Sequence, residues 1–216
     1  MTPIKLTLAS ASPARLKTLQ SAGVFPQVLV SGVDERAVTK AATERFGAFS
    51  PADTALLLAQ AKAEAASHEL DDGIVIGCDS ILEMDGKSYG RPKDAATAIK
   101  RIKKMSNNSG TLHTGHWLID LRAPENGGTG ATVGATGSTI VHFGDIDEAE
   151  IEAYVETGEP LQVAGSFTVD GLGGPYISGI EGDYHNVVGL SLPLVRELLN
   201  QMGVPWRALR SDNAAL

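Results

Sequence analysis

The chain has one cysteine, few aromatic residues and fewer basic than acidic side chains. The single thiol, Cys78, cannot form an internal disulfide or a thiolate metal cluster, which is typical of proteins from a reducing compartment. The 18 Lys and Arg against 26 Asp and Glu leave a net charge of -8. Because nucleic-acid binders need a surplus of basic residues, we expect no nucleic-acid partner. Any anionic ligand must meet local positive charge.

Long apolar runs are also missing. The first ten residues lack the apolar stretch of a signal peptide, and no run of about 18 apolar residues occurs anywhere in the sequence. We therefore expect a cytoplasmic protein without a membrane partner. The 216 residues, of which 43% are hydrophobic, suffice for a buried core. The simplest organisation is one α/β domain over 1–216 with two lobes.

Hydrophobic periodicity and capping residues predict alternating strands and helices. Strands or β-rich segments are expected at 5–10, 27–33, 73–78, 113–121 and 138–143. Helices are expected at 13–22, from 51 through 62, and at 94–105, 147–156 and 190–202. The glycine-rich stretch at about 123–137 is expected to form a long, mobile hairpin loop, and the tail at about 207–216 to be frayed. This order predicts a mixed sheet wrapped by helices.

The turn between the first strand and the first helix is a candidate anion site. Ser12 is the expected N-cap, Pro13 the first helical residue and Arg15 the third. Orphan backbone amides and the positive end of the helix dipole would point at a ligand such as phosphate. Arg15 stands where the dipole disfavours a cation, and an anionic ligand would reverse that penalty. An ordinary capped helix with a solvated arginine is the alternative.

Carboxylates follow two of the predicted strands. Asp34 and Glu35 come after an apolar segment, and Asp79 closes the run 74–78. A buried, unpaired carboxylate would be costly, so Asp79 needs a metal or a cationic partner. Hard oxygen ligands of this kind suit Mg²⁺ or Mn²⁺. Hydrogen bonds to turn amides are the alternative for each of these acids.

The remaining charged candidates favour structural roles when each is taken alone. Lys62 shares a helix face with apolar residues, so its ammonium either snorkels to solvent or points into a cleft, and snorkelling is slightly favoured. Arg91 lies in a charged loop that would usually be solvated. His113 and His116 are three residues apart in a predicted strand, which places them on opposite faces and disfavours a metal pair.

Set side by side, these segments resemble the Maf family of nucleotide pyrophosphatases along nearly the whole chain. The resemblance lies in the order and spacing of many short blocks, none of which is specific alone. The blocks are LASASP at 8–13 with Arg15, VDE at 33–35, LAQAKA at 58–63, IGCDS at 76–80, GRP at 90–92, SG at 109–110, HTG at 113–115, YVETGEP at 154–160, AG at 164–165 and GDYHNVVGL at 182–190.

The resemblance implies an elongated α/β fold, in which a mixed sheet flanked by helices forms two lobes around a central cleft, as in the inosine triphosphatases. It implies hydrolysis of nucleoside triphosphates, with non-standard or modified nucleotides among the candidates, to the monophosphate and pyrophosphate. It also implies Mg²⁺ or Mn²⁺ as cofactor and, for many members, a homodimer. A nucleotide-binding regulator of cell division or septum formation with little turnover is the alternative. A phosphosugar-binding module is a third hypothesis.

The resemblance also assigns roles to residues. Glu35 and Asp79 would hold the metal and handle the attacking water, with Asp79 as general base and Lys62 as the third catalytic residue. The residues expected to bind the triphosphate are Ser10, Ser12, Arg15, Lys62, Ser80 and Arg91.

The chain departs from the family pattern at four positions. Ala14 replaces an arginine, Arg91 a lysine and Val163 a lysine, while Asp170 stands where pyrimidine-selecting members would carry glutamine. These departures leave the strength of triphosphate binding and the preferred base open.

Overall fold

The structure, a computed structural model, describes residues 4–210. This part of the chain forms one seven-stranded mixed sheet with helices packed on it, which confirms the predicted fold class. The strands are β1 (Leu6–Ala9), β2 (Gln27–Val28), β3 (Ile74–Met84), β4 (Lys87–Tyr89), β5 (Ser109–Asp120), β6 (Thr132–Phe143) and β7 (Ile177–Glu181). The helices are α1 (Pro13–Ser21), α2 (Glu35–Phe46), α3 (Pro51–Ser67), α4 (Ala95–Met105), α5 (Glu148–Glu156), α6 (Tyr184–Val188) and α7 (Leu192–Gln201).

Strand β3 is the centre of the sheet, whose order is β2-β1-β3-β5-β6-β7. β5 pairs with one edge of β3 from Ile74 to Glu83. The other edge is shared, because β1 pairs in parallel as far as Gly77 and β4 pairs in antiparallel from Leu82. Within the described residues, no strand pairs with positions 78–81 on this edge. The sheet therefore has an internal gap between β1 and β4.

Two hydrophobic cores lie on one face of β3, on either side of this gap. One core contains Ile76 and packs against α7 through Leu198. The other contains Leu82 and packs against α4 through Ile102. Because the two cores share one continuous sheet, we retain the expectation of a single domain with two lobes.

Helix α3 covers the opposite face at very short range. A Cβ atom on Gly77 would lie 2.1 Å from the carbonyl oxygen of Ala59, and one on Gly115 would lie 2.3 Å from that of Ala55. Only glycine fits at these two strand positions, since any side chain would overlap the helix backbone. The close approach fixes α3 relative to β3 and β5.

Each of the seven α-helices begins with a side-chain cap. A Ser or Asp at the N-cap accepts a hydrogen bond from a backbone N–H of the first turn, which typically stabilises a helix by about 1 kcal/mol. The caps are Ser12, Asp34, Ser50, Asp94, Asp147, Asp183 and Ser191.

Strand β1 and helices α1, α3, α4, α5 and α7 confirm the corresponding predictions. The strand predicted at 27–33 is wrong beyond Val28, because the chain leaves the sheet there. Helix α2 replaces the polar stretch that was expected after Glu35, and only Ala42 of this helix is buried, so its periodicity is weak. The strand predicted to end at Cys78 runs on to Met84, because its alternating apolar residues continue into the second core.

The predicted loop and tail also need correction. Strand β6 begins at Thr132, so the second half of the glycine-rich stretch at 123–137 is strand. Asp120 holds the shorter loop, since its carboxylate accepts bonds from the Arg122 side chain at 2.8 and 2.9 Å and from the Thr129 backbone at 2.8 Å. In the tail, Leu209 is buried in the first core. Leu209 is therefore packed, whereas Arg207 and Arg210 are exposed, and 211–216 lie outside the described residues.

None of the helices in residues 4–210 is both long enough and apolar enough to cross a bilayer.

Candidate active site

A cleft of about 610 Å³ opens at the gap in the sheet. Its volume falls within the range of roughly 300–1,000 Å³ that is usual for small-molecule sites. The start of α1, the start of α2, the middle of β3 and the loop after β4 all contribute to its walls. All eight residues that the sequence nominated line this cleft: Ser10, Ser12, Arg15, Glu35, Lys62, Asp79, Ser80 and Arg91.

The start of α1 has the predicted cap, because the Ser12 hydroxyl accepts a hydrogen bond from the Arg15 backbone N–H. The Arg15 side chain is not solvated, as the alternative had it, since the residue is only 8% exposed. Its guanidinium donates four hydrogen bonds within the protein. The acceptors are Gly189 O at 2.7 Å, Cys78 O at 2.8 Å, Ser10 Oγ at 3.0 Å and Ser80 Oγ at 3.0 Å.

The hydroxyl groups beside Arg15 have defined directions. Ser10 Oγ accepts from the Ser12 backbone N–H at 3.2 Å and from Arg15 at 3.0 Å. Its own proton has no protein acceptor among the described residues, so this hydroxyl is a free donor in the cleft. The opposite holds for Ser80: Thr114 donates to Asn186 O at 2.9 Å, and Ser80 must therefore donate its proton to Thr114, 2.9 Å away.

Lys62 joins the two acidic candidates. Its Nζ atom lies 2.5 Å from Asp79 Oδ1 and 2.7 Å from Glu35 Oε1. The side chain is only 13% exposed, so the prediction that it snorkels to solvent is wrong. The cause is the close packing of α3 on Gly77, which carries Lys62 over the face of β3 that Asp79 shares with Gly77.

Asp79 lies within β3 and not at its end, as the sequence had suggested. The neighbouring strand β1 stops two residues earlier, so the carboxylate still opens onto the gap. Burial raises the pKa of Asp79 above its ordinary value, while the positive charges of Lys62 and Arg15 oppose that shift. Burial also raises the pKa of the Cys78 thiol to about 11, which keeps it protonated at neutral pH and unreactive as a nucleophile.

The outer part of the cleft carries further side chains. Arg91 is exposed there, as expected for its loop. Arg36 also lines the cleft. The sequence did not nominate it, because its pattern did not predict the helix that begins at Glu35. Asp34, the N-cap of this helix, is the signal that could have indicated it. Ala14 and Val163 line the cleft at two of the departures from the family pattern, and Asp170 lines it at a third.

The two histidines of β5 lie on opposite faces of the sheet, as predicted, and each has a protein partner. His113 is 2.9 Å from Glu83 Oε2 and 2.8 Å from Ser138 Oγ. His116 accepts a hydrogen bond from the Ser191 backbone N–H at 2.8 Å, and burial lowers its pKa to about 4.

Glu35 and Asp79 are the residues of the cleft that fit a hard divalent cation. No group of three or more His, Cys, Asp or Glu side chains in residues 4–210 is arranged to hold a metal. Two carboxylates are nevertheless the usual protein share of a Mg²⁺ site whose other ligands are substrate phosphates and water. Both carboxylates lie within hydrogen-bond distance of the same Lys62 nitrogen, so the two oxygens lie close together in the cleft.

The sequence of the chain matches known proteins over nearly its whole length. The model of the family described as Maf-like protein matches residues 5–202. The chain is similar to a protein of Salinispora tropica, with 50% identity over 97% of this chain and 88% of the relative. It is 52% identical to a protein of Streptomyces coelicolor over 92% of this chain and 91% of the relative, and 45% identical to one of Gloeothece citriformis over 93% and 95%. All three relatives bear the name nucleoside triphosphate pyrophosphatase.

Proposed function

The chain belongs to the Maf-like protein family, and we propose from this premise that it is a nucleoside triphosphate pyrophosphatase. It is then a hydrolase of phosphoric anhydrides that converts a nucleoside triphosphate and water to the nucleoside monophosphate and pyrophosphate. The observation that carries the proposal is the group of Asp79, Lys62 and Glu35 in the cleft at the gap of the sheet.

The triphosphate would bind between the start of α1 and the loop after β4. Ser10 offers a free hydroxyl donor there, and the helix dipole of α1 favours negative charge. Lys62 has three N–H donors, of which Glu35 and Asp79 occupy two, so the third remains for a phosphate oxygen. Arg91 and Arg36 add the local positive charge that the acidic chain otherwise lacks.

Asp79 is the group best placed to accept a proton from water. Its raised pKa makes the carboxylate a stronger base than an exposed aspartate. With water held beside Asp79, the water oxygen attacks the α-phosphorus, and the bond from that phosphorus to the bridging oxygen breaks. The electron pair leaves with pyrophosphate, and the proton of the water passes to Asp79.

A divalent cation, Mg²⁺ or Mn²⁺, belongs to this proposal, with Glu35 and Asp79 as the residues that would hold it. When bound, such a cation supplies charge neutralisation of the phosphates and polarises the bond that is cut. The residues of the chain would orient the triphosphate, hold the water and accept its proton.

The departures from the family pattern bear on affinity and base choice. Ala14 and Val163 line the cleft without contributing charge, so the triphosphate depends more on Lys62, Arg91 and Arg36. Asp170, also in the cleft wall, can only accept hydrogen bonds from a base when it is ionised. Non-standard or modified nucleotides therefore belong among the substrates to be tested.

The test is pyrophosphate release from a panel of common and modified nucleoside triphosphates with Mg²⁺ or Mn²⁺. The Asp79→Asn variant should lose about 100-fold or more of kcat, because general-base catalysis contributes about 10²–10⁴-fold. Asp72→Asn is the matched control, since Asp72 lies on the surface and pairs with Lys5. Nucleotide binding without release of pyrophosphate by the unmodified protein would support the regulator instead, and full activity of Asp79→Asn would remove that residue from the mechanism.

A further inference from the structure

Arg15 is the most completely bonded charged side chain at the cleft. We infer, on the premise of the function proposed above, that Arg15 is a positioning residue, which orients the Ser10 hydroxyl and the β3 segment that carries Asp79, and does not bind the triphosphate as a charged clamp. The resemblance implies that Arg15 binds the triphosphate, and from the residues alone the start of α1 is a candidate anion site.

The number of available donors argues against a clamp. An arginine has five N–H groups, and a clamp on phosphate uses two of them in parallel. Four of the five N–H groups of Arg15 are bonded to protein oxygens at 2.7 to 3.0 Å. At most one remains for a substrate, and the residue is only 8% exposed.

The acceptors of Arg15 come from separate parts of the fold. Ser10 follows β1, Cys78 and Ser80 belong to β3, and Gly189 follows α6. The bond to Cys78 O lies in the stretch of β3 that, in the part of the chain that the structure describes, has no strand partner on its β1 side. Arg15 thus takes the place of the missing strand at the residue that immediately precedes Asp79, where a buried carbonyl would otherwise lack a donor.

The same guanidinium sets the direction of two hydroxyl groups. Ser10 Oγ has both acceptor positions filled, by Arg15 and by the Ser12 backbone, so its proton must point away from them. Ser80 Oγ accepts a hydrogen bond from Arg15 and donates one to Thr114 Oγ1. Ser10 is therefore held as a donor to the substrate, whereas the proton of Ser80 is not available to it.

The Arg15→Lys variant separates positioning from charge. It retains the positive charge but loses the planar fork, so one ammonium cannot reach all four acceptors. We expect kcat to fall by about tenfold or more, since small displacements of reacting groups are costly. The affinity for an uncleavable α,β-imido nucleoside triphosphate, measured by calorimetry, should change by less than about threefold because the charge is kept. Arg196→Lys, the same change on an exposed part of α7, is the matched control.

A double-mutant cycle tests whether Arg15 acts through Ser10. If it does, Ser10→Ala should cost much less kcat in the Arg15→Lys background than in the unmodified protein. Additive losses would overturn the inference, as would an Arg15→Lys variant with unmodified kcat. A fall in analogue affinity about equal to the fall in kcat/KM would also overturn it, because that is the result for a clamp.

Thr114→Val covers the case in which the Arg15 variants do not fold. Thr114 is fully buried and does not line the cleft; its hydroxyl accepts from Ser80, which does line it, and donates to Asn186 O. We expect about a fivefold fall in kcat with unchanged analogue binding, as for the loss of one hydrogen bond. Unchanged kcat would refute the hydrogen-bonded chain. Pyrophosphate release by the unmodified protein is measured in the same assay, so failure of the proposed function itself would be seen separately.

Discussion

The contact of α3 with β3 provides a direct test of how packing sets the active site. Gly77→Ala would place a methyl carbon 2.1 Å from Ala59 O and 2.8 Å from Ala63 N. An ordinary carbon–oxygen contact needs roughly 3.3 Å, so the helix and strand must separate by about 1 Å. Both obstacles are backbone atoms, and no side-chain rotation can relieve them.

The expected effect on stability follows from this overlap. Overpacking typically costs about 1–3 kcal/mol, and a backbone obstacle places this variant near the upper end. For a chain of this length, about 3 kcal/mol corresponds to a fall in Tm of roughly 6–12 °C. Most proteins have about 5–15 kcal/mol of stability, so the variant should still fold.

The expected effect on activity is also large. Separation of α3 from β3 would move Lys62 away from Asp79. In the structure, Lys62 Nζ and Asp79 Oδ1 are 2.5 Å apart. A displacement of about 1 Å can cost about 100-fold in rate. Pyrophosphate release is therefore measured at a temperature where circular dichroism shows the variant to be folded.

Gly144→Ala is the matched control for this experiment. The added methyl would meet only Tyr176 O, at 3.7 Å, which is an ordinary contact. Its Tm and kcat should stay close to those of the unmodified protein. If Gly77→Ala behaves in the same way as this control, the close packing of α3 does not set the position of Lys62, and the reasoning is refuted.

Two further predictions concern buried ionisable groups outside the cleft. Burial lowers the pKa of His116 from 6.5 to about 4. Between pH 6.5 and pH 4, therefore, His116 is protonated in the unfolded state but not in the folded state. The free energy of unfolding should fall by about 3 kcal/mol as the pH drops through this range. In His116→Gln, denaturant titrations should lose this component; an unchanged pH dependence would contradict the assignment. Asp120 has a pKa of about 2, because hydrogen bonds from Arg122 and Thr129 outweigh the effect of burial. The ionised carboxylate therefore stabilises the folded state above about pH 4, and this contribution is lost as the pH falls through 2. Asp120→Asn should lower the free energy of unfolding by about 3 kcal/mol at pH 7, since the Asp120–Arg122 ion pair is buried. The value of kcat/KM should not change, because neither residue lines the cleft. A loss of activity in the folded variant would show that the loop is coupled to the site.

Local signals in the sequence located most of the elements that build the site. The cap at Ser12, the proline after it and the apolar residues that follow were enough to place α1. The same reasoning placed α3 from Ser50 and Pro51. Ordered short blocks, taken together, nominated eight residues that all line one cleft. Such signals are local in the chain, so they survive without knowledge of the fold.

Weak local signals produced the errors. Helix α2 is mostly exposed and buries only Ala42, so no apolar stripe marked it. The sequence predicts that β3 ends at Cys78, because the charged residue Asp79 follows an apolar run and so resembles a strand terminus. In the structure the charge is tolerated within the strand because Lys62 reaches it from α3.

By itself, the sequence determined the class of fold, the capped helix starts and the identity of the acidic and basic residues at the site. Only the tertiary structure decided what those residues do to one another. Within residues 4–210, no strand pairs with one edge of β3 between β1 and β4. Arg15 donates a hydrogen bond to Cys78 O at this edge, and Lys62 joins Asp79 to Glu35. The physical reason is that the direction, burial and hydrogen-bond partners of a side chain depend on segments that are far apart in the chain. Arg15 and Gly189 are 174 residues apart in the sequence, yet Arg15 Nε lies 2.7 Å from Gly189 O.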